Sequence, residues 1–108
     1  MCNYKSVKNS SHGYVMRCPG CGHIQVAFAS AILTFTRDKF YDFINMADEL
    51  YKSHNMHPFP DEKIIRTPTP ARAVTLAYSV NELRDFLYLL IDGRNKFEHA
   101  DLFSFNHN

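Results

Sequence analysis

Two stretches of the chain, ILTFTRDKFYDF at 32–43 and TLAYSVNELRDF at 75–86, align without a gap at an offset of 43 residues. Thr36 falls on Ser79, Phe40 on Leu83, Asp42 on Asp85 and Phe43 on Phe86. Each stretch reads as a strand, a hydroxyl N-cap and then an amphipathic helix. This repeated junction constrains the fold more than any other feature. An apolar helix stripe that follows directly on a strand must be buried against a sheet. Chance likeness of two amphipathic junctions would look the same, and the architecture needs only the two patterns.

The first helix starts after Thr36, with Phe40, Phe43, Ile44, Ala47, Leu50 and Tyr51 on one stripe. It ends near Ser53, because Pro58 and Pro60 forbid continuation. KIIRT (63–67) and AVTLAY (73–78) are paired strands, and the prolines of PTP (68–70) make the first an edge strand or a loop leaving one. Ser79 and Glu82 form a capping box that opens the second helix. Gly93 either ends that helix or is carried within it, and Phe97 suggests continuation. Upstream, GYVMRC (13–18) and Ile24, Val26 and Phe28 mark two strands around a turn. The expectation is an α+β fold: one antiparallel sheet from two ββα-like halves, both helices on one face, plus an N-terminal knuckle hairpin. Phe43 and Phe86 should take equivalent core positions.

With 108 residues and 45% hydrophobic content, the chain suits a single domain over 1–108. Within it, residues 1–30 read as the knuckle hairpin lobe, 31–57 as the first strand–helix unit and 63–100 as the second strand–strand–helix unit. No apolar run approaches the ~20 residues that span a bilayer, and the N-terminus lacks a signal-peptide core, so a cytoplasmic setting is expected. Net charge is +1, with three basic and no acidic residues in 1–26. That balance gives little drive toward nucleic acid, so such binding should stay weak, near non-specific levels.

The turn CPGCG (18–22) carries the chemistry. Cys-x-x-Cys at a hairpin tip places two thiolates across a tetrahedral metal ion. Pro19 pre-sets the turn, while Gly20 and Gly22 tolerate positive φ, so backbone N–H groups can turn toward the sulfurs. A redox dithiol of the thioredoxin type would open a helix, and here HIQVAF continues as a strand. A hairpin tip that merely carries thiols is the plain alternative. With three cysteines in a reducing compartment, a metal is favoured over a disulfide framework. Zinc is the expected ion, held by Cys2, Cys18 and Cys21, with Cys2 returned by an arm beside residues 14–18. His12 is the preferred fourth ligand and His23 the alternative. His54 and His57 follow a helix C-terminus, where imidazolium suits the dipole, and need no metal. Loss of the ion should disorder residues 1–22 and spare the helices.

GYVMRCPGCGHIQVAF and PTPARAVTLAYSVNELRDF resemble a small bacterial family known only as a domain of unknown function. That resemblance implies cytoplasmic stand-alone domains and assigns no activity. Residues 18–22 by themselves resemble one knuckle of a zinc ribbon, with a lone Cys2 where the second knuckle would stand. No Ser-His-Asp set, phosphate loop or paired-carboxylate site is present. A zinc-stapled binding or adaptor module that contacts protein, or forms a homo-oligomer, is therefore the leading expectation. A small zinc or thiol enzyme, or a metal or redox sensor, is the alternative.

Overall fold

A computed structural model describes the backbone of residues 3–106 and the side chains of residues 3–99. The fold is α+β. Four strands open it: β1 (Lys5–Ser10), β2 (Gly13–Arg17), β3 (Ile24–Phe28) and β4 (Ala31–Phe35). Helix α1 (Arg37–His54), strands β5 (Ile65–Pro68) and β6 (Thr75–Tyr78), and helix α2 (Val80–Asn106) follow. Strands β1 to β4 form one antiparallel meander in chain order, and β5 with β6 forms a separate two-stranded sheet. The single sheet expected from two joined halves is therefore not what forms. Strand β5 ends at Pro68 and the chain continues as Thr69-Pro70, and these three residues line the same groove as the end of β4. Those prolines have no N–H to offer a ladder, so the two sheets stay separate.

Alternation and register sort the meander into two faces. Val15 is opposite Val26, Val26 opposite Leu33, and Ile24 opposite Phe35. All five are buried. Both helices pack on this face: Phe28 stacks on Phe86 of α2 at 4.3 Å, and Phe35 meets Phe43 of α1 at 5.0 Å. Phe86 also lies against Phe43 and Tyr78, each 5.7 Å away, so one ring joins both sheets and both helices. The matched residues Phe43 and Phe86 are 6% and 0% exposed and touch each other.

The two helix starts are built alike. Thr36 Oγ1 accepts from the Lys39 N–H at 3.3 Å. Ser79 Oγ accepts from the Glu82 N–H at 3.1 Å, and the Glu82 carboxylate accepts the Ser79 N–H at 2.9 Å. Helix α2 runs through Gly93 to Asn106. A Cβ at Gly93 would stand 2.7 Å from Val15 Cγ2, so the missing side chain lets α2 approach β2. Residues 13–28 consequently contribute to the main core. Strand β2 lies inside the sheet, and Val15 belongs to the main core at 1% exposure.

Candidate functional site

The CPGCG turn joins β2 to β3. The Cys18 N–H donates to the His23 carbonyl at 2.9 Å, and the Gly22 N–H donates to the Cys18 carbonyl at 2.8 Å. Gly22 takes φ +77°, which closes the turn at no side-chain cost, whereas Gly20 does not use positive φ. Cys18 is 1% exposed, and its sulfur accepts the Cys21 N–H at 3.5 Å. That N–H holds the Cys18 thiol below its ordinary value, against the opposing cost of burial, with further help from the Gly20 and Asn3 N–H groups. A thiol under these dipoles favours the thiolate, which is the metal-binding and nucleophilic form.

The five predicted ligands fare differently. Lys5 is opposite Arg17, so the antiparallel pairing of β1 with β2 carries the N-terminal arm back toward Cys18. Asn3 reaches the sulfur through its N–H, while Cys2 itself lies outside the described residues. Cys21 is held in a disulfide, and Cys18 is the free thiol among the described cysteines. His23 stands across the turn from Cys18. His12 does not. It sits at the β1–β2 hairpin beside Asp85 at 4.0 Å, at the opposite end of β2. The length of that strand separates it from Cys18 by roughly 15–20 Å. Among the described residues no group of three or more His, Cys, Asp or Glu side chains converges on a metal position.

A cavity of about 300 Å³ opens beside the turn, lined by Cys21 and His23 on one side and Arg17, Arg37 and Phe97 on the other. The Arg17 and Arg37 guanidinium groups lie 4.5 and 4.8 Å from the Phe97 ring centre. These cation–π contacts tie β2 and the start of α1 to α2 near the turn. Sequence reading did not assemble this cluster. Its one signal was period two: Arg17 follows Gly13 and Val15 on the inward face, which singles it out as a cation directed at the helices.

His54 and His57 make local contacts. His54 Nδ1 lies 2.8 Å from the Leu50 carbonyl, and His57 Nδ1 accepts the Phe59 N–H at 3.1 Å. Burial pushes the Tyr78 phenol up to about 12 while Thr67 donates to its oxygen at 3.0 Å. That pair is a satisfied core contact with no route to a substrate.

The sequence profile of a family of unknown function, DUF6686, matches residues 1–107. The chain belongs to DUF6686. No curated protein and no solved structure matches it. Among the described residues of this DUF6686 chain, no helix is long and apolar enough to cross a membrane.

Proposed function

We propose that the protein is a small binding module that contacts other proteins and whose CPGCG turn is stapled by one zinc ion in the reduced chain. Cys18, Cys21 and Cys2 supply the thiolates, and His23 replaces His12 as the fourth ligand because it adjoins the turn. The observation that carries this reading is the Cys18 sulfur: buried, receiving the Cys21 N–H at 3.5 Å, and held toward the thiolate. A sulfur so prepared suits a cation better than it suits an apolar contact. A disulfide and a thiolate–zinc site draw on the same proximity of sulfurs, so reduction must precede loading. Four closed ligands suit a structural role, whereas a water in the fourth position would suit an enzyme.

The test is elemental analysis of protein purified in a reducing buffer without added metal, as wild type and as Cys18→Ser. About one zinc per wild-type chain, absent from the variant, is expected. Metal-free wild type with freely titratable thiols would sink the reading and leave CPGCG as a hairpin tip.

A further inference from the structure

The meander has two edges, and they are treated differently. At β1 the edge carries Lys5 and Lys8, and its register shifts between Ser6 and Lys8. A bulge and lysines are how an edge strand is kept from pairing with another chain. At β4 the edge reads AILTF, with no charge, no proline and no shift of register. Strand β4 follows β3 through the two-residue turn Ala29-Ser30, and Phe28 is opposite Ala31. The pair closing such a hairpin is hydrogen-bonded, and bonded and non-bonded pairs then alternate. The N–H and C=O groups of Ile32 and Thr34 therefore point away from β3. Both residues are exposed, Ile32 at 61%.

Beside this edge runs a groove of about 500 Å³. Its floor is Phe35, Phe43 and Met46, its far wall Pro68 and Pro70, and its rim Lys39 with Asp42. The prolines have no N–H for the outward C=O groups of β4, so the wall confines a partner without supplying the donors that the ladder needs.

We propose that the β4 edge and this groove bind an extended peptide segment of a partner protein, which adds to the meander as a fifth strand. Two N–H and two C=O groups of β4 supply the ladder, and alternate side chains of the segment enter the groove. The rim carries one cation and one anion, so the groove complements apolar side chains without net charge and offers an acidic or polyanionic partner no net attraction. The wall at Pro68–Pro70 suits a single chain better than the edge of a second copy, whose β4 is backed by its own β3. This rests on the reading of the protein as a module for protein partners, and it is independent of the zinc.

The probe is a phage-displayed library of random peptides selected on the full chain, followed by titration calorimetry with the enriched synthetic peptide. Thr34→Pro removes one outward N–H and leaves the β3–β4 bonds in place. Met46→Asp adds a charge to the groove floor. Enriched peptides with alternating apolar residues, weakened at least tenfold by each variant, are expected. Circular dichroism and the melting temperature of the variants verify that they remain folded. No enrichment, or affinity unchanged by both folded variants, would overturn the proposal. A wild-type dimer in sedimentation that Thr34→Pro dissolves would also overturn it, assigning the edge to a second copy. Cys18→Ser should keep the peptide affinity, which separates failure here from failure of the zinc site.

Discussion

Gly93 sits where α2 packs against Val15 of β2, and its hydrogen is what the packing there requires. Alanine would gain about 1 kcal/mol of helix propensity. Against this, its Cβ would meet Val15 Cγ2 at 2.7 Å, on a buried β-branched side chain with little rotamer freedom. Overpacking costs about 1–3 kcal/mol, so Gly93→Ala should destabilise by about 1 kcal/mol net. In a Val15→Ala background both Cγ contacts are gone and only the Cβ at 3.0 Å remains, so the same change should cost less than it does in the wild type. Urea denaturation of the four proteins checks this coupling. A destabilisation of equal size in the Val15→Ala background would refute the account of the contact. From the sequence, Gly93 allowed either a helix end or a weak interior position. The choice between them depends on Val15, which is 78 positions away in the chain, and local pattern carries no information about that distance.

At the scale of elements, the two capped junctions were legible because their cause is local. Thr36, Ser79 and Glu82 act on N–H groups three residues away or on each other. Burial would raise the Glu82 carboxyl, but Lys63 at 2.8 Å and the Ser79 N–H outweigh it and hold the group below its ordinary value of 4.5. A carboxyl lowered in the folded state stabilises above its unfolded value, and that contribution is lost as pH falls through the folded one. Wild type should therefore be more stable than Glu82→Gln near pH 7, with the gap closing near pH 3. A gap of equal size at both pH values would contradict the charged cap. The carboxyl is 36% exposed, so solvent screens the effect. The pairing of β5 and β6 apart from the meander was not legible. It turns on whether Pro68 and Pro70 come to lie beside β4, which is a matter of tertiary path.

For the whole molecule, one core decides what a metal at the turn can do. A free-standing knuckle lobe would lose its order with its ion, which is what the sequence alone leads one to expect of residues 1–22. With Val15, Ile24 and Val26 in the common core, the meander has its own support. Chelation of the reduced protein should raise amide exchange at residues 18–23 and leave residues 13–17 and 24–28 protected, as hydrogen-exchange mass spectrometry would read. Exchange across all of 1–28 would restore the separate lobe. The Cys-x-x-Cys pair was legible from its spacing. His12 misled because adjacency to the strand GYVMRC says nothing about which end of it a residue occupies. Zinc at the turn is the central claim, and the zinc K-edge absorption spectrum of the reduced protein tests it most directly. The expected first shell is three sulfurs at about 2.3 Å and one nitrogen at about 2.0 Å. A shell of oxygen and nitrogen alone, or a protein that retains no zinc after buffer exchange, would contradict it.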